Sequence, residues 1–162
     1  MNKAELEKSF IEMVQQNERI IYKVCSFYVS DEYPLVDLYQ EVVYNLWSSY
    51  PKFRNESSQS TWIYRIALNT CISGLRKFLR KPPKVSVSIF EDAIAAPEDK
   101  TGQIQEMYNF INQLSKIEKA IVLLWLEEKS YKEIAEITGI TVSNVATKLK
   151  RAKEKLKKMS NS

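Results

Sequence analysis

The 162-residue chain contains no histidine. That excludes a Ser-His-Asp or Cys-His catalytic group and any zinc site with a histidine ligand. Its three glycines are too few and too scattered to build a glycine-rich phosphate loop. Cys25 and Cys71 lie far apart in sequence, each within an apolar helical pattern. They fit core thiols in a reducing compartment better than a disulfide or a metal site. No stretch approaches the roughly 18 uninterrupted apolar residues of a membrane span. The opening M-N-K-A-E-L-E-K is too charged for a secretory signal. A cytoplasmic protein with no metal, no cofactor and no small-molecule substrate is expected.

What the chain does have is positive charge in one place. Residues 1–102 carry 13 basic and 13 acidic side chains, whereas residues 103–162 carry 11 basic and 7 acidic. The net +4 therefore belongs to the C-terminal part. Seven cations lie between Lys148 and Lys158 against a single acid, Glu154. That stretch continues directly from S-Y-K-E-I-A-E-I-T-G-I-T-V-S-N-V-A-T-K-L, which reads as two short helices with a corner at Gly139. A left-handed residue is easiest where there is no Cβ. Ile134, Ala135 and Ile137 form the apolar patch of the first helix, and Ile140 fills the corner. Thr141 or Ser143 can cap the second helix. Val142, Val145 and Leu149 then recur at steps of three and four, on one face. A helix-turn-helix that runs into a basic helix points to duplex DNA.

Upstream, Ala4 to Val29 reads as one helical pattern carried by Leu6, Phe10, Met13, Val14, Ile20, Ile21, Val24 and Phe27. Pro34 fits the first turn of a second helix, through Leu35, Leu38, Val42, Val43, Leu46 and Trp47, which Pro51 stops. K-F-R-N-E-S-S-Q-S, residues 52–60, is a polar loop in which Ser60 (or Thr61 just after it) can cap the next helix. That helix spans Thr61 to Leu79, with a stripe of Trp62, Ile63, Ile66, Ala67, Thr70, Cys71 and Leu75. Arg80 to Gln103 holds three of the five prolines and keeps no period, so it reads as a linker with a short helical turn near Ile89 to Ala95. Two more helices follow, Ile104 to Leu114 and Lys116 to Glu127, the latter with a stripe of Ile117, Ile121, Leu124 and Trp125.

Two further places carry chemistry. Asp37 and Glu41 are one helical turn apart with Gln40 beside them; this is a solvated helix face, a partner surface, or the start of an acid–base pair that no third residue completes. Phe53, Trp62 and Tyr64 combine with Asn69, Arg65, Arg76 and Lys77 in a loop and helix that could stack bases and hold phosphates. On their own these residues fit a core tryptophan and a solvated helix end more simply.

Three blocks in order make the chain recognisable. D-L-Y-Q-E-V-V-Y-N-L-W, S-T-W-I-Y-R-I-A-L-N-T-C-I-S-G-L-R-K and S-Y-K-E-I-A-E-I-T-G-I-T-V-S-N-V-A-T-K-L-K-R-A resemble the core-binding, promoter-melting and −35-reading segments of bacterial sigma factors of the extracytoplasmic-function (ECF) class. The resemblance covers nearly the whole chain. It implies that Asp37, Gln40 and Glu41, backed by Leu38 and Trp47, bind the β′ clamp helices of core RNA polymerase. It implies that the loop holding Phe53, Arg54, Asn55 and Ser58 captures a flipped base of the −10 element, at an unstacking cost of a few kcal/mol. Trp62, Arg65, Asn69, Arg76 and Lys77 would line the path of that strand. Lys132, Thr141, Ser143, Asn144, Ala146, Thr147, Lys148 and Arg151 would contact the −35 element. Many family members carry Lys or Arg where this chain has Ala146, which can touch a thymine methyl but cannot pair with guanine.

The expectation is an all-α protein with a sigma-2-like helical domain over 1–79, a flexible linker over 80–103 and a sigma-4-like helix-turn-helix bundle over 104–162. Its partners would be core RNA polymerase through β′ and β, promoter DNA, and an anti-sigma factor. It would perform no chemistry itself. The alternative is a stand-alone helix-turn-helix activator or repressor that binds duplex DNA without polymerase.

Overall fold

A computed structural model describes residues 2–53, 55–73, 107 and 109–161. Those residues are helical and contain no strand. The chain divides into two compact units, Met1–Pro97 and Glu98–Ser162. The expected linker, the helical turn within it, Gly74 to Leu79 of the third expected helix, and the site residues Arg54, Arg76 and Lys77 lie outside the described residues.

The first unit opens with α1 (Lys3–Gln16) and α2 (Glu18–Tyr28), two helices where the apolar period suggests one. The break is at Asn17, with φ −119° and ψ 15°. Its side-chain amide donates to the Met13 carbonyl at 2.8 Å and to Gln59 Oε1 at 3.1 Å. An asparagine that satisfies the end of one helix itself competes with continuing the ladder. Asn2 and Glu5 close a capping box at the start of α1.

Helix α3 (Leu35–Ser49) has Pro34 as its N-cap, one position earlier than the first-turn placement expected from sequence. It tightens into a single 3-10 turn over Tyr50–Lys52, which contains Pro51. Helix α4 begins at Gln59, ahead of the expected start, because the cap is Ser58 rather than Ser60 or Thr61. The Ser58 hydroxyl accepts the Thr61 N–H at 3.1 Å.

Helix α4 (Gln59–Ser73) packs chiefly on α2 and α3. It therefore buries more than one stripe, and Tyr64 and Leu68 are in the core along with Ile63, Ala67 and Cys71. Full burial of a side chain such as Ile63 stabilises the unit by about 1.5–3 kcal/mol. Phe10, Ile21, Val24, Val42, Val43 and Leu46 supply the facing helices' share. Cys25 and Cys71 meet in this core as free, buried thiols. Burial, then the hydrogen bond with Cys71, holds the Cys25 thiol well above its usual range, so it stays neutral and unreactive.

The second unit contains α5 (Lys116–Leu126), α6 (Tyr131–Thr138) and α7 (Val142–Ser160). Before α5, residues 109–111 are helical and bring Ile111 into the core, and Leu114 is buried in the turn that follows. Helix α5 buries Ile121, Val122, Leu123 and Leu124 in succession, because α6 and α7 cover it on different sides. Trp125, expected in that stripe, is 38% exposed. Val142, expected beside Val145 and Leu149, is 48% exposed; α7 instead turns Val145, Leu149 and Ala152 inward.

Candidate nucleic-acid interface

The helix-turn-helix is built by three local devices. Ser130 and Glu133 form a capping box at the start of α6, with both hydrogen bonds at 3.1 Å. The Ser130 N–H, donating to Glu133 Oε1, leads the causes that hold the Glu133 carboxyl below the usual range. Gly139 ends α6 at φ +81° and ψ 10°, and its N–H reaches the Ala135 carbonyl at 2.8 Å. Thr141 then caps α7 by accepting the Asn144 N–H at 3.1 Å. Helix resumes at Val142, three residues after Gly139.

Ser143, Thr147 and Arg151 recur at four-residue steps on α7, and all three are exposed. Asn144 is exposed and Lys148 half-buried on the adjoining row, and Lys132 is exposed on α6. The exposed Thr147 donates its hydroxyl to the Ser143 carbonyl at 3.1 Å, which leaves its oxygen able to accept. Ala146 lies at the edge of this surface, half-buried, in a groove with Tyr131, Lys150, Lys153, Glu154 and Lys157.

Glu118, on α5, fixes the far end of α7. It closes a capping box with Ser115 at the start of α5. It also accepts Lys155 Nζ on both carboxylate oxygens, at 3.0 and 2.9 Å. Burial pushes its carboxyl up, but Lys155 and the Ser115 hydrogen bonds together outweigh burial and hold it below the usual range. The Ser-x-x-Glu spacing at 115–118 and at 130–133 is the sequence signal for both boxes.

In the first unit, the loop between the 3-10 turn and α4 has both ends tied back to the N-terminal helices. The Tyr50 hydroxyl hydrogen-bonds Ser9, and Gln59 accepts from Asn17. Phe53 lies over Trp62, with ring centroids 4.6 Å apart and planes at 36°. Trp62 is only 9% exposed, so its face is covered by the protein's own aromatics, Phe53 and Tyr50. Asn55 takes φ +58°, in the left-handed region that asparagine tolerates. Ser58 is committed to capping. Arg65 is half-buried and Asn69 exposed, one turn apart on the uncovered edge of α4, while Tyr64 points into the core.

On α3, Asp37 and Glu41 are half-buried and Gln40 is exposed, all on one face. Val36 beside them is 47% exposed, an apolar residue amid carboxylates. Leu38 is buried behind that face, and Trp47 meets Phe10 edge-on at 5.0 Å. No group of three His, Cys, Asp or Glu that could hold a metal occurs among the described residues.

The two units match two halves of one family. Residues 13–80 match Sigma-70 region 2, and residues 104–156 match Sigma-70 region 4. The chain is 30% identical to an ECF RNA polymerase sigma-E factor of Haemophilus influenzae, over 91% of this chain and 85% of that protein. The chain belongs to the ECF sigma factors of the sigma-70 family. This sigma factor is also 28% identical to the RNA polymerase sigma factor SigV of Bacillus subtilis, over 94% of this chain and 92% of that one. Its fold is that of the sigma factor RpoE of Bartonella quintana, solved with the anti-sigma factor NepR, at TM-score 0.67, 17% identity and 97% coverage of each chain. CnrH, solved with the cytosolic domain of CnrY, gives TM-score 0.64 at 18% identity, covering 98% of this chain and 94% of that one. It is thus an RNA polymerase sigma factor, a transcription initiation factor. A stand-alone helix-turn-helix regulator would account for residues 104–156 but not for region 2 over residues 13–80.

Proposed function

We propose that this sigma factor divides its work among three surfaces and performs no catalysis itself. The face of α3 carrying Asp37, Gln40 and Glu41 binds the β′ clamp of core polymerase, with Val36 adding an apolar contact. Leu38 and Trp47 support that face from within. The loop from Phe53 to Ser58, including Arg54 and Asn55, takes a base of the −10 element from the non-template strand. Arg65 and Asn69, with Arg76 and Lys77 further along, guide that strand. Trp62 positions Phe53 rather than stacking on a base directly, since its face is already covered.

In the second unit, the row Ser143, Thr147 and Arg151 supplies the base-facing contacts of the −35 element. Lys132, Asn144 and Lys148 hold flanking phosphates, Thr141 caps the reading helix, and Ala146 touches a thymine methyl. The working domains are 1–79 and 104–162, joined by 80–103 so that both elements are engaged together. The second unit also contacts the β subunit. The protein works in the cytoplasm, and an anti-sigma factor restrains it, as NepR and CnrY accompany the two related structures.

The observation that carries this reading is the exposed row Ser143, Thr147 and Arg151 directly after a Gly139 corner, in a chain that also contains region 2. Run-off transcription with purified core polymerase on genomic fragments tests it. Transcripts that start at defined sites only when the protein is added are expected. Specific duplex binding by the free protein, with no transcription from any fragment, would replace this reading with the stand-alone regulator.

A further inference from the structure

We infer that Ser9 and Tyr50 are a positioning pair for the loop that takes the −10 base: through them α1 sets where that loop starts and how it leaves the helices. The loop follows the 3-10 turn over Tyr50–Lys52, which is poor in bonds of its own. It has three residues, Pro51 has no N–H to donate, and no side chain among the described residues caps its start. A backbone bond from the Phe53 N–H to the Tyr50 carbonyl closes it at 3.1 Å. The far end of the loop is better supplied. Ser58 accepts the Thr61 N–H at 3.1 Å and donates to the Thr61 hydroxyl at 2.9 Å, and Gln59 accepts from Asn17 at 3.1 Å.

Tyr50 makes up the difference from outside the turn. Its hydroxyl hydrogen-bonds that of Ser9, 41 residues earlier on α1. Its ring meets Phe10 edge-on, with centroids 5.3 Å apart and planes at 62°. It also approaches Trp62, the ring over which Phe53 lies, at 6.4 Å. Phe10 is fully buried and meets Trp47 near the end of α3, so Ser9, its neighbour on α1, has a fixed place. The bond between the two hydroxyls then sets the rotation of the Tyr50 side chain, and with it the start of the turn. Asn55 takes φ +58° two residues after Phe53, so the heading of Phe53 decides where the rest of the loop points.

A purely stabilising role accounts for less of this. Phe10, Met13 and Val14 are buried and secure α1 without any hydroxyl. Ser9 and Tyr50 are only half-buried, so what their bond adds is direction more than buried area. Direction matters to a loop that must hold its groups in place before a strand arrives, because ordering them afterwards weakens capture. Ser9 and Phe10 also precede residues 13–80, the segment that matches region 2. The pair thus ties the loop to a part of the chain outside the matched segment.

The role of the pair rests on the promoter reading, which supplies the strand, and two measurements on the full-length chain keep pair and reading apart. In the free protein, Tyr50→Phe and Ser9→Ala should each speed hydrogen exchange of the Phe53 amide about fivefold. Ser9→Thr, which keeps a hydroxyl, should match the parent. In holoenzyme with core polymerase, the promoter carries a fluorescent adenine analogue in the −10 non-template strand. There Tyr50→Phe and Ser9→Ala should each slow opening about fivefold at unchanged core affinity. The double variant should lose no more than either single one. Asn2→Ala, which removes the α1 cap at a comparable cost in stability, should change neither readout. A Phe53 amide indifferent to both variants overturns the pairing whether or not any promoter opens. Normal opening by the variants, additive losses, or an equal effect of Asn2→Ala overturns it as well. A responsive Phe53 amide in a parent protein that opens no promoter overturns the promoter reading, and the role of the pair with it.

Discussion

Asn45 Nδ2 donates to Thr70 Oγ1 across 2.8 Å in the interior of the first unit. The threonine hydroxyl passes its own hydrogen to the Ile66 carbonyl at 2.7 Å. Both side chains are buried, at 8% and 1% exposure, so this is a directional link within an apolar core. It fixes the register of α3 on α4, and thereby the face of Asp37 and Glu41 relative to the loop that follows Phe53. Thr70→Val keeps the volume but removes the acceptor. A loss of about 1–2 kcal/mol is expected. A double-mutant cycle with Asn45→Ala in urea, followed by fluorescence of Trp47 and Trp62, should return a coupling of about 1 kcal/mol.

The Glu118–Lys155 contact gives the second unit a pH dependence of known sign. The Glu118 carboxyl is held below its unfolded value. Its contribution is therefore complete above the ordinary carboxylate range, near pH 4.3, and is lost as pH falls through the lower folded value. Urea melts of Trp125 fluorescence should show the midpoint falling with acidification. Glu118→Gln should flatten that fall. Lys155→Met should cost about 1–2 kcal/mol at neutral pH by leaving the carboxylate without its cation.

Glu128 sits at φ +63° in the turn between α5 and α6. Glutamate has no side-chain device for stabilising the left-handed region, and glycine has no Cβ to strain there. Glu128→Gly should raise the stability of the second unit by about 0.5–1 kcal/mol. Glu128→Val should lower it. Thermal melts of both variants decide the sign.

Arg151→Ala should weaken binding of the holoenzyme to −35-containing promoters and reduce the slope of log affinity against log salt by about 1. Filter binding at several salt concentrations measures both. Unchanged affinity at every salt concentration would remove Arg151 from the −35 contacts.

Asp37→Ala with Glu41→Ala should reduce core-polymerase affinity by at least tenfold, on the scale of about 1.4 kcal/mol per decade. Helix content by circular dichroism should stay the same, because neither side chain is in the core. Native mass spectrometry of the assembled holoenzyme reports the loss directly.

Much of the fold could be read in the residues because local chemistry decides it. Gly139, Thr141, Pro34 and Pro51 each act within one turn of chain, and the corner at Gly139 forms where its missing Cβ predicts. The departures come from tertiary burial. Asn17 breaks a pattern whose apolar period runs through it unbroken, because its amide satisfies the Met13 carbonyl and reaches Gln59, 42 residues away. Tyr64 and Leu68 are buried because α4 has neighbours on two sides, which a single-stripe reading cannot anticipate. Trp125 and Val142 follow the period yet remain partly exposed, because no helix among the described residues buries them. The meeting of Cys25 with Cys71 likewise depends on α2 packing on α4. Of the candidate site, the row on α7 follows from helical spacing, whereas the covering of Trp62 by Phe53 depends on how the loop folds back.

The two ties at the loop ends, Tyr50 to Ser9 and Gln59 to Asn17, have a consequence for how specificity can evolve. Both anchor the loop to the N-terminal helices and leave Asn55, Glu56 and Ser57 between the tied ends. On the proposed function, exchanging these tip residues changes which base is accepted while the surrounding helices keep their register. A new promoter preference then arises within a few adjacent codons, with no accompanying repair of the core.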